Sequence, residues 1–272
     1  MNAGNLTPGL DAAQVKACCA TGYSSDLVSM LLGPSYHPGG TRLTRRLLDS
    51  IGLQPGERLA DVACGVGTTS LLAAQEYGAL VDGVDLSASN VALATGAADA
   101  AGIRDRARFH HGDAEALPLG DGDWDVVVCE CALCTFPDKP TAIAEMARVL
   151  RPGGRIGISD VTADRDRLPA ELTGLGAWIA CVADARPAEE YQALLTAHGL
   201  RVKLVEQHPE ALDRMVLQIA ARIELLRMTK RERVEALGLD FDRVRPILSA
   251  TQDAIENGAL GYALIVAEKP CD

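Results

Sequence analysis

Seven short apolar runs, separated by stretches with helical periodicity, set the pattern of this chain. Residues 57–63, 80–86, 106–111, 124–130, 154–161, 200–207 and 260–268 read as strands, and most of the intervening segments read as helices. An alternating order of this kind predicts an α/β sheet with helices on both faces. The turn Gly258-Ala259-Leu260-Gly261, followed by the run Tyr262–Ala267, predicts a last strand that closes the sheet beside the 200–207 strand. Between those two strands, Glu210–Lys230 and Phe241–Glu256 read as amphipathic helices, with charged faces at Arg222/Glu224/Arg227 and Arg231/Glu232/Arg233. The expected organisation is an N-terminal helical cap (1–50), a core (51–208 and 258–272) and a helical insertion (209–257). The insertion reads equally well as a lid or substrate-pocket wall and as a packed cap or homodimer surface.

The most informative stretch is Asp61-Val62-Ala63-Cys64-Gly65-Val66-Gly67, which ends the first predicted strand in a glycine turn and leads into a helix. Asp85, about twenty residues on at the end of the second strand, has the spacing of a carboxylate that accepts hydrogen bonds from a ribose diol. A dinucleotide fingerprint would need a third glycine where Ser70 stands, and Asp61 would repel a pyrophosphate. The same carboxylate favours a cationic amino-acid moiety, which S-adenosylmethionine carries.

This D-x-x-C-G-x-G segment resembles motif I of the class I methyltransferases, usually D/E-x-G-x-G-x-G, with Ala63 in place of its first glycine. His110–Pro118 resembles that family's adenine-contacting segment, and Ala147–Gly154 its entry into the fifth strand. The resemblance implies a Rossmann-like, seven-stranded, mostly parallel sheet binding S-adenosylmethionine. The cofactor residues it implies are Asp61, Ala63, Gly65, Gly67, Asp85, Leu86, Asp113, Ala114 and Glu130.

The chain has 272 residues, a hydrophobic content of 48% and a net charge of −11, which suits one core and argues against a nucleic-acid partner. The N-terminus lacks a basic start followed by an apolar run, and no stretch is long enough to span a bilayer, so no membrane partner and a cytoplasmic location are expected. In a reducing compartment the eight cysteines read as free thiols, metal ligands or catalytic groups rather than disulfides.

Cys129, Cys131 and Cys134 crowd the end of the fourth strand, where a parallel sheet forms its ligand crevice. Cys131–Lys139 resembles the Cys-x-x-Asn-x-x-Pro-Asp-Lys segment of the arsenite methyltransferases, with Cys134 at the Asn position. Trp178–Ala185 resembles that family's W-x-x-C-V-x-x-A. The resemblance implies methyl transfer to trivalent arsenic, as substrate, held by the thiolates of Cys131 and Cys181. Residues 32–41 lack the cysteine this family usually carries before motif I; Cys18 and Cys19 either supply a third thiolate or are incidental.

Cys64, Cys129 and Cys271 carry no expected chemistry. A zinc site from Cys129, Cys131 and Cys134 with His110 or His111 is a rival that lacks a second matched knuckle. His37 reads more simply as a turn residue than as a group acting on cofactor or substrate. Two other functions stay open: methylation of a small organic acceptor of the quinone or natural-product kind, and a non-catalytic thiol sensor.

Overall fold

The computed structural model describes residues 11–23, 26–33, 36–172, 182 and 184–271. Its strands are β1 (Arg58–Val62), β2 (Leu80–Asp85), β3 (Ala107–His111), β4 (Trp124–Glu130), β5 (Leu150–Ala163), β6 (Arg201–Gln207) and β7 (Leu260–Glu268). They form one seven-stranded sheet in the order β3-β2-β1-β4-β5-β7-β6. Neighbouring strands from β3 to β5 run parallel, whereas β7 is antiparallel to both β5 and β6.

Helices cover both faces. In chain order they are α1 (Ala12–Tyr23), α2 (Asp26–Leu32), α3 (Gly40–Ile51), α4 (Thr68–Glu76), α5 (Ala88–Ala100), α6 (Lys139–Val149), α7 (Ala188–Ala197), α8 (Pro209–Thr229), α9 (Arg231–Ala236) and α10 (Phe241–Glu256). Successive strand residues point to opposite faces, so β4 divides its side chains between two cores. Val126 and Val128 pack with Leu47 and Leu48 of α3, while Val127 and Cys129 pack with Ile143 and Met146 of α6 and Tyr191 of α7. Close contact between α3 and β5 needs a bare backbone at Gly157, where a Cβ would lie 2.3 Å from Ile51 Cδ1.

Two elements depart from the expected pattern. β5 begins at Leu150 rather than near 154, because Leu150 pairs with Trp124 across a register shift before the regular ladder starts at Arg155. β7 does lie beside β6, yet it is wedged between β5 and β6 and leaves β6 as the edge. Its apolar run explains the placement, since Tyr262–Ala267 is buried throughout and would be unfavourable at an edge.

The segment between β6 and β7 packs α10 on α8, and Ile223, Val234 and Phe241 form a small core with Leu27 and Leu31 of α2. Arg222 fixes the junction by donating to the carbonyls of Leu31 (2.8 Å) and Leu32 (2.6 Å). These are terminal carbonyls of α2 that lack helical partners.

The strand order reverses at β1, which leaves a crevice at the C-terminal ends of β1 and β4. Leu47, fully buried between α3 and the sheet beneath that crevice, is the core residue to remove: Leu47→Ala is expected to cost about 2–5 kcal/mol in a urea titration. A loss below about 1 kcal/mol would show that α3 is not packed on the sheet as described.

Candidate active site

The cleft lies over the C-terminal ends of β1, β2 and β4, where three carboxylates come together. Asp61, the last residue but one of β1, has only 2% of its surface exposed, and Ser70 Oγ donates to its Oδ2 at 2.6 Å. Burial first, then the charges of Glu130 and Asp85, push the Asp61 carboxyl up from 3.8 to about 7, against the Ser70 hydrogen bond. A carboxylate in that setting gains from a cation and loses from a phosphate. Ser70, which stands where a dinucleotide site would have glycine, is thus the partner of Asp61.

The turn after β1 is built on left-handed backbone at Ala63, Gly65 and Gly67, with φ of 60°, 55° and 83°. A Cβ on Gly65 would meet nothing within 4 Å, so the loop is open on that side. Gly67 is tighter: its Cβ would lie 2.9 Å from both Ala94 Cβ and Phe109 Cζ.

Asp85 is buried at the end of β2 and organises the turn across from it. Gly65 N donates to its Oδ2 at 2.8 Å, and Ser87 N (2.8 Å) and Asn90 Nδ2 (3.2 Å) donate to its Oδ1. Leu86 and Ala114 line the same cleft. After β3, Asp113 faces α1: Lys16 Nζ pairs with Asp113 Oδ2 at 2.7 Å and with Glu115 Oε2 at 2.5 Å. The helix carrying Lys16 therefore covers one end of the cleft, and Cys19 and Ala20 on it contribute to the wall.

Glu130 ends β4 with its carboxylate buried among hydroxyls. Thr69 Oγ1 (2.6 Å) and Thr44 Oγ1 (3.0 Å) donate to Oε2, and Ser159 Oγ (3.0 Å) donates to Oε1. His37 Nε2 lies 3.3 Å from Thr44 Oγ1 and 3.8 Å from Glu130 Oε2. His37 is buried in the cleft wall, a position its His-Pro-Gly-Gly context did not indicate. That context gave no signal of the fold that brings β4 against it.

The far wall follows β4. Cys131 has a φ of 53° and donates its N–H to Ser159 O at 2.6 Å, after which Ala132, Thr135, Phe136 and Pro137 line the cleft. Cys134 N donates to the buried Asp160 Oδ2 at 3.0 Å. Lys139 Nζ donates to Phe136 O at 3.1 Å and pairs at 2.6 Å with Asp184, both side chains only 4% exposed. Arg165 and Arg186 also reach Asp184, at 3.1 and 3.0 Å.

The cysteines separate on inspection. Cys19, Cys64 and Cys131 line the cleft, Cys18 does not appear on its wall, and Cys181 lies outside the described residues. Cys129 is buried on the opposite core and Cys134 is buried too. Burial pushes the Cys64 and Cys129 thiols well above their ordinary range, so both stay protonated. Among the described residues, no three His, Cys, Asp or Glu side chains converge as a metal-ion site. His110 instead meets Asp82 at 2.7 Å, and His111 meets Leu86 O at 3.0 Å.

Residues 59–154 match a family model described as a methyltransferase domain. Over 92% of its length the chain is 31% identical to 27-O-demethylrifamycin SV methyltransferase of Amycolatopsis mediterranei, of which it covers 96%. The chain belongs to the methyltransferase family. Among solved structures, the cyclase SpnF superposes on this methyltransferase with a TM-score of 0.72 at 26% identity, covering 97% of this chain and 99% of that one. An arsenite methyltransferase of Aquipseudomonas alcaligenes is 32% identical over 72% of this chain and 59% of its own length.

The donor set fits S-adenosylmethionine, the cofactor of this class I fold, which solved structures of the fold hold in that form or as its demethylated product. Buried carboxylates answer its positive charges, and the open side of Gly65 leaves room at the turn. No helix among the described residues is long and apolar enough to cross a membrane.

Asp61 makes the ligand-free cleft costly. Its folded pKa of about 7 lies above the ordinary 3.8, so stability falls as pH rises through that window and stays low above it. Asp61→Asn is expected to stabilise the ligand-free protein, by a margin that grows from about pH 5 to pH 8 and reaches at most about 4 kcal/mol. Chemical denaturation at the two pH values checks this; a margin that shrinks with rising pH would contradict it.

Proposed function

We propose that this methyltransferase acts on a hydroxyl group of a small organic acceptor of the natural-product kind. The observation that carries the reading is the end-to-end match, 92% of one chain and 96% of the other, to an enzyme whose name places its methyl on an oxygen of rifamycin. The cleft supports it chemically. An imidazole and a carboxylate stand together in its wall.

When bound, S-adenosylmethionine supplies a methyl group on a sulfonium. Asp61 and Glu130 would hold its positive charges and Asp85 its ribose diol, with Ala63, Gly65 and Gly67 forming the turn and Leu86, Asp113 and Ala114 the nucleoside end. These residues stand at the ends of β1 to β4, and the loop after β4 would face the acceptor. Phe136 and Pro137 present apolar surface to it, and His37 Nε2 takes the hydroxyl proton as the oxygen attacks. Glu130, 3.8 Å away, stabilises the imidazolium so formed. Desolvation and alignment supply the remainder of the rate.

A second reading, methylation of trivalent arsenic, draws on Cys131 in the cleft wall and on the partial match to the arsenite enzyme. In that reading Cys131 and Cys181 ligate the metalloid, and Cys19 is the nearer of the two N-terminal cysteines to the cleft.

Formation of S-adenosylhomocysteine by purified, reduced protein separates the readings. Turnover is expected with 27-O-demethylrifamycin SV or another hydroxylated natural product, and His37→Ala is expected to lower kcat by about 10²–10⁴-fold without changing cofactor affinity more than about threefold. Turnover on arsenite or methylarsenite that Cys131→Ser and Cys181→Ser each abolish would overturn the hydroxyl reading.

A further inference from the structure

The helix α8 carries apolar residues on two sides. Ala211, Leu212, Val216 and Ile223 turn inward and are buried. Leu217, Ala221, Leu225 and Met228 fall, at about 100° per residue, within an arc of roughly 80° on the opposite side. Leu217, Leu225 and Met228 are 48%, 59% and 80% exposed, three of the seven large hydrophobic residues exposed among the described residues. A surface helix is ordinarily polar on that side. Here an apolar stripe runs about 16 Å along it.

The stripe has a symmetry that selects its occupant. Leu217 and Leu225 stand four residues either side of Ala221, so a second α8 laid antiparallel on the first repeats the same spacing in reverse. Leu217 then meets the partner's Leu225, and Ala221 meets the partner's Ala221, whose small side chain lets the helices approach. Charge follows the same symmetry. A two-fold axis at Ala221 sets each flank of the stripe against the same flank of the other copy, and Asp213 and Arg227 share one flank, eight residues before Ala221 and six after it. At about 1.5 Å per residue, Asp213 lies within about 3 Å, along the axis, of the partner's Arg227. Arg227 is held by Glu224 through Nε (2.9 Å) and Nη2 (2.8 Å), which leaves Nη1 for the partner's Asp213. With a net charge of −11, contact between most other faces of two copies sets like charges together, whereas this one pairs opposite charges twice.

We infer that this face of α8 is a homodimer interface, in which two copies pack antiparallel about Ala221 and Asp213 of each pairs with Arg227 of the other. A single helix face is small for an interface, so the dimer is a weak and reversible one. The stripe lies on the insertion between β6 and β7, and the pairing is independent of which acceptor the cleft takes.

Sedimentation velocity of the full chain, from about 5 to about 500 µM, tests this without cofactor or acceptor. A monomer–dimer equilibrium is expected. Leu225→Glu, a change at an exposed helix position that leaves the monomer folded, is expected to raise the dissociation constant at least about tenfold. Asp213→Arg is expected to raise it about three- to tenfold, and the double reversal Asp213→Arg/Arg227→Asp to return it to within about threefold of the unaltered protein. A chain that stays monomeric throughout, or a dimer indifferent to Leu225→Glu, would overturn the interface. A double reversal no tighter than Asp213→Arg alone would overturn the antiparallel pairing.

Discussion

Three acidic side chains buried at the ends of three adjacent strands constrain the rest of this molecule. Asp61, Asp85 and Glu130 sit where β1, β2 and β4 terminate, and each is removed from water. Like charges in such a place repel, and the sheet tolerates them by two devices. Hydroxyl and amide donors surround Asp85 and Glu130, whereas Asp61, with the Ser70 hydroxyl as its side-chain donor, retains a proton up to about pH 7. The glycine turn, the N-cap of α5 and the hydroxyls of α3 and α4 are arranged to meet these carboxylates. Free energy spent on burying them is recovered when a cation enters.

The opposite wall is stiffened by different means. The loop after β4 leaves the sheet through left-handed backbone at Cys131, and its path is fixed by Asp160 beneath Cys134 N and by Lys139 beneath Phe136 O. Lys139 is itself held by Asp184, whose carboxylate also takes Arg165 and Arg186. Breaking one member of such a buried cluster strands the charge of another, so the wall behaves as one unit. Fixed geometry there suits a cleft that must align an acceptor with a methyl group.

Much of this was legible in the chain itself. Alternating apolar positions located all seven strands, and the aspartate, glycine turn and second aspartate located one end of the cleft, because these signals are local and each strand carries its own. Asn90 and Lys16 were not legible, since each acts through a partner that only folding supplies: Asp85 five residues earlier in one case, Asp113 and Glu115 nearly a hundred residues away in the other. The start of β5 was hidden by Pro152 and Gly153, which read as a turn although Leu150 already pairs with Trp124. Cysteine spacing after β4 drew attention to sulfur chemistry, yet alternation along β4 turns Cys129 into the opposite core and the loop buries Cys134. His37 lacked any local signal, and its contact with Glu130 depends on α3 packing across the sheet.

Proton release on cofactor binding tests the central electrostatic claim most directly. Titrating S-adenosylmethionine into the protein in buffers of different ionisation enthalpy counts the protons exchanged. The account predicts release from Asp61 at and below about pH 7, approaching one proton per site at lower pH and vanishing by about pH 9, because the bound cation lowers a carboxyl that begins near 7. Proton uptake, or no exchange anywhere between about pH 6 and 8, would contradict it.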